Sequence, residues 1–260
     1  MHSDIKDISK FAHNATIPLL AFNKNSDSCL PDAFGCGFLF IHKNKSYLIT
    51  TAHLINDLKD DEDSDKIING INNDLQIGIY SKIKNNGKTN IIYVHDTYNV
   101  FIFTQVDASD DSLIFARYDL VIADLPTSDI SLDYIDSQAS SKIIKFTESE
   151  IGVFDDTQNY YIFGYINNRY NIRNELESET IFLSELKLES VIDNDKIILR
   201  SNRQDLLPTV KGISGAPVVN GNHKICGMVI GANRITKHFT AIQMTRILQI
   251  IDGIEEDGYI

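Results

Sequence analysis

Three segments carry side chains whose types suit nucleophilic chemistry. Leu48-Ile49-Thr50-Thr51-Ala52-His53 runs an apolar stretch into a small residue and a histidine. Arg117-Tyr118-Asp119-Leu120-Val121-Ile122-Ala123-Asp124-Leu125 sets an aspartate just before an apolar stretch. Gly212-Ile213-Ser214-Gly215-Ala216-Pro217-Val218-Val219-Asn220 holds a serine between glycines ahead of another. A serine hydroxyl is a weak nucleophile at neutral pH and needs a base within hydrogen-bond reach. Histidine serves as that base when a buried carboxylate fixes its tautomer. The oxyanion that follows attack needs preorganised donors, which backbone amides in a tight turn supply. Gly212 permits a conformation that aims the Gly212 and Ser214 amides inward, and Gly215 keeps a Cβ out of the substrate's approach. His53, Asp119 and Ser214, with those two amides, meet every demand. Singly each segment is common; jointly, in this order, they are specific.

The elements that position these groups are short. Gly37–Ile41, Tyr47–Thr50, Gln76–Tyr80, Ile91–Val94, Tyr160–Phe163, Lys196–Leu199 and Gly227–Ile230 are β-branched and aromatic runs between Asn/Asp/Gly/Ser clusters. Such a series predicts strands of a barrel or sandwich. Helical patterning is confined to the ends. Ser3-Asp4 can cap a helix with Ile5, Ile8, Phe11 and Ala12 on one face, and Ile242, Ile247, Leu248, Ile250 and Ile251 mark a second.

The 260 residues include 24 Lys and Arg against 36 Asp and Glu, a net charge of −12. That sign repels phosphate backbones and anionic lipid, so neither nucleic acid nor a membrane is an expected partner. No apolar run approaches a membrane span, and Ile17–Phe22 is too short for a signal segment. Three cysteines, Cys29, Cys36 and Cys226, do not make a disulfide framework or a zinc site and point to buried thiols in the cytoplasm. The acidic stretch Asp57–Asp65 is expected to be a solvated loop. Asp61, Asp63 and Asp65 alternate as calcium ligands do, but Lys66 and Asn72 stand where a turn glycine and a bidentate glutamate belong. No metal or cofactor is expected.

With these motifs the sequence resembles the trypsin-like (chymotrypsin-fold) serine peptidases, above all the bacterial protease Do type. Thr50-Thr51-Ala52-His53 is similar to that family's histidine segment, Asp119-Leu120-Val121-Ile122-Ala123 to its aspartate segment, and Gly212 through Val219 to its nucleophile segment. Gly35-Cys36-Gly37-Phe38-Leu39 resembles the strand before the histidine, and Cys226–Gly231 the one lining the cleft. The likeness spans about residues 16–245. An α/β-hydrolase would order the triad Ser, Asp, His and a subtilisin Asp, His, Ser. The resemblance implies an all-β fold of two packed six-stranded antiparallel barrels with short terminal helices. Residues 1–15 form the N-terminal helix, 16–130 the half with His53 and Asp119, and 131–260 the half with Ser214 and the C-terminal helix. It implies a serine endopeptidase acting through an acyl-enzyme, the alternative being a silent fold used as a binding or scaffold module.

Two departures shape the expectations. Ile213 stands where secreted members place an aspartate that pairs with a trimmed N-terminus, so activation is expected without cleavage, or through a partner that orders Lys211-Gly212-Ile213. Pro208, with Thr209 and Val210, falls at the specificity pocket and offers no carboxylate, and Asp205 reaches it only if the loop rearranges. A small or apolar residue before the scissile bond is expected. Substrate, a protein or peptide, is expected to pair as a strand with Ile230, Gly231, Ala232 and Asn233. The negative charge favours basic targets. A regulatory protein partner, such as a bacterial stress or phage-defence module, would restrain the activity.

Overall fold

The computed structural model describes residues 5–23, 33–55, 75–85, 88–93, 100–103, 119–125, 143–170, 176–192, 195–202 and 210–256. The chain starts with helix α1 (Ile5–Ala15), strands β1 (Ile17–Asn23), β2 (Ala33–His42) and β3 (Lys45–Thr50), and the short helix α2 (Ala52–Ile55). Strands β4 (Leu75–Asn85), β5 (Lys88–Tyr93), β6 (Val100–Phe103), β7 (Leu120–Leu125) and β8 (Lys145–Thr147) follow. The second half holds β9 (Tyr160–Tyr170), β10 (Leu176–Val191), β11 (Lys196–Arg200), β12 (Pro217–Asn220), β13 (Ile225–Asn233), β14 (His238–Gln243) and helix α3 (Met244–Glu256). The acidic stretch 57–65 and Cys29 lie outside the described residues.

Strands β10-β11-β14-β13-β12-β9 close into a six-stranded barrel. The first half is an eight-stranded sheet of order β5-β4-β1-β2-β3-β7-β6, with β8 beside β2. The fold is thus the mainly β, chymotrypsin-like double-barrel arrangement, with one parallel pairing added. β1 covers β2 only from Ala33 to Gly37, and β8 takes the rest of that edge by pairing parallel with Leu39–Ile41. The first sheet therefore borrows a strand from beyond residue 130.

The central strands of the first sheet are apolar without alternation because both their faces are covered. Side chains alternate across a strand. Phe38 and Phe40 of β2, Tyr47 and Ile49 of β3, and Leu120 and Ile122 of β7 enter a core shared with the barrel. Leu39, Leu48, Val121 and Ala123 enter a separate core with Ile17 and Leu19. Phe38, Phe40 and Phe146 are fully buried, and truncating any one of them to alanine should cost about 3–5 kcal/mol.

Each terminal helix grips the opposite half. α1 precedes the first sheet but packs on the barrel: Thr16, which closes it, donates to Phe163 O of β9 at 3.1 Å, and Phe11 stacks on His223 at 4.5 Å. α3 follows the barrel but binds the first sheet. Buried His42 of β2 has Nδ1 2.6 Å from Glu148 and Nε2 2.9 Å from Asp252, so both ring nitrogens are engaged by carboxyl groups. Lys43 Nζ donates to Asp252 at 2.6 Å and Glu255 at 3.0 Å, and Tyr47 OH donates to Glu255 at 2.6 Å. Burial and the bond to Glu255 push the Tyr47 phenol well above its usual range.

Candidate active site

The strand register brings His53 and Asp119 together. Thr50 of β3 pairs with Val121 of β7, so continuing the antiparallel pair sets residue 119 opposite residue 52. There β3 gives way to α2 and β7 has not begun. Asp119 takes φ +47°, in the left-handed region that aspartate tolerates better than most residues. Its carboxylate bridges one residue: Oδ1 accepts the His53 backbone N–H at 2.9 Å and Oδ2 faces ring Nδ1 at 2.6 Å. Donation from Nδ1 to a carboxylate leaves Nε2 as the acceptor, the tautomer a general base needs. The side chains are 41% exposed at His53 and 25% at Asp119, so the carboxylate is only partly buried, short of the full burial expected.

Ser214 lies in a turn docked on β2. Gly215, at φ +86°, is pressed so close that a Cβ would stand 1.8 Å from Cys36 O and 2.7 Å from Thr50 Oγ1. Glycine is therefore required there for the approach of two backbones, rather than to clear a path for substrate. The Cys36 N–H donates to Ser214 O at 2.8 Å, and Thr50 Oγ1 donates to Cys36 O at 2.6 Å. Leu54 Cδ1 and Ser214 O lie 3.1 and 3.2 Å from where a Cβ on Gly35 would be. The serine turn and the residue after His53 thus meet over the same glycine. Among the described residues, Ser214 Oγ and His53 Nε2 make no hydrogen bond to each other. Such bonds commonly tighten only when substrate is bound.

The remaining bonds of the turn fix its peptides. Ile213 N–H donates to Val210 O at 3.1 Å, Ala216 N–H to Ile213 O at 3.0 Å, and Gly215 N–H to Val229 O at 2.8 Å. The Cys36 thiol donates to Gly212 O at 3.2 Å. Gly212 itself sits at φ +103°. The Gly212 and Ser214 amides have no acceptor among the described residues, which is the state an oxyanion site requires.

Beyond the turn, Val229 N–H donates to Ala216 O at 2.9 Å, and a register shift between Val229 and Gly231 takes Ile230 out of the ladder with β14. β12 begins at Pro217, paired antiparallel with Met228, so no described strand covers the same edge of β13 from Ile230 onward. Ile230 and Gly231 are half-buried and Ala232 is exposed. Asn233 is engaged within its own loop, where its Oδ1 accepts the Ile235 and Thr236 N–H groups at 3.0 and 3.1 Å and shapes the following turn. Val210 is buried at 9% and its carbonyl closes the turn before the serine. Pro208, Thr209 and Asp205 lie outside the described residues.

Two features escaped sequence reasoning. The first is the role of Cys36, whose signal was only its place between two glycines. The second is the His42 cluster, whose members are far apart in sequence. Its three ligand atoms, from His42, Asp252 and Glu255, could surround a metal ion. Lys43 Nζ stands 2.6 and 3.0 Å from the same two carboxylates, so a fixed positive charge already fills the place of a cation. Cys36 and Cys226 are buried and neither is in a disulfide, as expected of structural thiols. An open groove of about 620 Å³, lined by Glu189, Arg200, Ser201, Lys237 and His238 among others, includes none of His53, Asp119 and Ser214. No described helix is long and apolar enough to cross a membrane.

A first sheet that carries His53 and Asp119 at its edge and a closed barrel whose Ser214 turn docks on that sheet are consistent with the chymotrypsin type of fold. Among solved structures the chain is similar to a serine endoprotease from Yersinia pestis, at TM-score 0.52 and 12% identity over 99% of this chain and 69% of that one. Two structures of tobacco etch virus protease align at TM-scores of 0.47 and 0.45, each 11% identical and covering 94% of this chain and 78% of that one. No family model matches the sequence. No curated protein matches it either.

Proposed function

We propose that this chain is a serine-type endopeptidase. The observation that carries the reading is the Asp119 carboxylate bridging the backbone and ring of His53 at 2.9 and 2.6 Å, beside a serine turn with two amides that have no acceptor among the described residues. Ser214 attacks the peptide carbonyl, and His53 Nε2 takes its proton and delivers it to the leaving amine. Asp119 holds the imidazole and stabilises its positive charge, while the Gly212 and Ser214 amides hold the oxyanion. Water then cleaves the acyl-enzyme by the same proton path. Among the described residues a thiol nucleophile is disfavoured, since Cys36 is fully buried and bonded to Gly212 O, and Cys226 is buried. Substrate adds as a strand along Ile230, Gly231 and Ala232, whose open edge suits backbone pairing.

The Lys211–Gly212 peptide is where regulation would act, because neither its carbonyl nor its N–H is held among the described residues. A protein partner that orders this peptide would complete the oxyanion site in an unprocessed cytoplasmic chain. A fluorophosphonate probe tests the assignment. Labelling of the wild-type chain should vanish in Ser214→Ala, and turnover should fall on the order of 10⁴–10⁶. Absence of labelling with and without cell extract would instead support a silent binding module, for which the unformed Ser214–His53 hydrogen bond speaks.

A further inference from the structure

The geometry assigns to Cys36 the role of positioning residue for the oxyanion turn, exerted through its thiol; this rests on the peptidase reading above. Cys36 is wholly buried where three parts of the fold meet. Its Sγ–H donates to Gly212 O at 3.2 Å, and the same sulfur accepts the Tyr165 N–H of β9 at 3.4 Å. Its own N–H holds Ser214 O at 2.8 Å. One residue of the first sheet therefore clamps the carbonyls of both residues whose amides face an oxyanion.

The consequence follows peptide by peptide. The 213–214 unit is fixed through Ile213 O by the Ala216 N–H, and the 214–215 unit by Cys36 N–H at one end and Val229 O at the other. The 212–213 unit is fixed by Val210 O at its N–H and by the Cys36 thiol at its carbonyl. Only the 211–212 unit, which carries the Gly212 N–H, is held by neither end among the described residues. Its direction depends on the conformation of Gly212, at φ +103°, and hence on how firmly the neighbouring 212–213 unit is held. Glycine has no Cβ to restrict that torsion, so the restraint must come from outside it. A thiol is a weak donor and a weak acceptor, and a hydroxyl offers the same two functions in stronger form, whereas a methyl offers neither. Serine should therefore preserve the anchor and alanine should release it.

The test compares full-length wild type, Cys36→Ala and Cys36→Ser by reaction rate with a fluorophosphonate probe, and by the backbone amide resonances of Gly212 and Ser214. Cys36→Ala should lower kinact on the order of tenfold with KI unchanged, less than the ~10²–10³ cost of deleting an oxyanion donor outright. The Gly212 and Ser214 resonances should broaden in that variant, and Cys36→Ser should restore both rate and spectrum. A Cys36→Ala chain that labels at the wild-type rate with unmoved resonances overturns the proposal. So does a slow alanine variant that serine fails to rescue. A wild-type chain that does not label sinks the peptidase reading alone, and the two amide resonances then decide for or against the anchor.

Discussion

Replacing Asp119 by asparagine isolates the tautomer from every other property of the site. Asparagine tolerates the left-handed φ of +47°, so the backbone keeps its course. Its carbonyl oxygen replaces one carboxylate oxygen and still accepts the His53 N–H, now 2.9 Å from Oδ1. Its NH₂ group takes the place of Oδ2, 2.6 Å from Nδ1, and two N–H groups cannot face each other there. The ring responds by accepting at Nδ1 and moving its proton to Nε2, the atom that deprotonates Ser214 in the proposed mechanism. The barrier should rise by about 5 kcal/mol, a loss on the order of 10⁴ in the rate of probe labelling at pH 7. Folding should suffer far less. With His53 41% and Asp119 25% exposed, solvent screening leaves the lost charged hydrogen bond worth on the order of 1 kcal/mol. Labelling rate and urea midpoint, measured on the same preparation, separate the two effects. An Asp119→Asn chain that labels within tenfold of wild type would refute the role given to the carboxylate. Asp119→Ala should be less stable than the asparagine variant, because a left-handed alanine adds about 1–2 kcal/mol of strain.

Gly215→Ala should displace the serine turn, since its Cβ would fall 1.8 Å from Cys36 O. Strain and overpacking together should cost about 2–5 kcal/mol in urea unfolding and at least ~10²-fold in labelling, and wild-type labelling would contradict the docking described. The Lys43 ammonium, then to a lesser degree the His42 ring, bonds to Asp252 and, against some burial, holds its carboxyl below the usual carboxylate range. A depressed folded pKa means stability that is present above the unfolded value, about 3.9, and lost as pH falls through the folded one. Wild type should therefore exceed Lys43→Met in denaturation midpoint at pH 7 and 5 and lose that advantage in strong acid; an equal difference at every pH would disprove the pairing. Burial, with the charge of Asp155 adding to it, pushes the Cys226 thiol up to about 12. Iodoacetamide at pH 8 should thus leave Cys226 unmodified until the chain is unfolded, with rapid alkylation of the folded chain as the contrary mass-spectrometric result.

The strands of the first sheet were legible because continuous apolar runs survive wherever both faces are covered, as in β2, β3 and β7. The longest strand was not. β10 buries Ile181 and Leu183 on one parity and Leu186 on the other, since a register shift between Leu183 and Leu186 exchanges its faces. A period-two pattern broken by a bulge in a segment rich in glutamate and serine gives little signal. The pairing of His53 with Asp119 was readable from residue types and order, and the register of β3 with β7 explains it. The reason for Gly215 was read wrongly, because the distant backbone of Cys36 cannot be seen in a local motif. The contacts of His42, with partners 106 and 210 residues away, were out of reach for the same reason.

The crossed attachment of the two end helices bears on how a substrate could enter. Parting the halves like a hinge would strip α1 from the barrel and α3 from the first sheet at once, breaking the Thr16–Phe163 bond and the His42, Lys43 and Tyr47 contacts together. Opening of that kind would carry nearly the free energy of global unfolding, and calorimetry should see a single cooperative transition. On the peptidase reading, a polypeptide would therefore reach Ser214 with the two halves still joined.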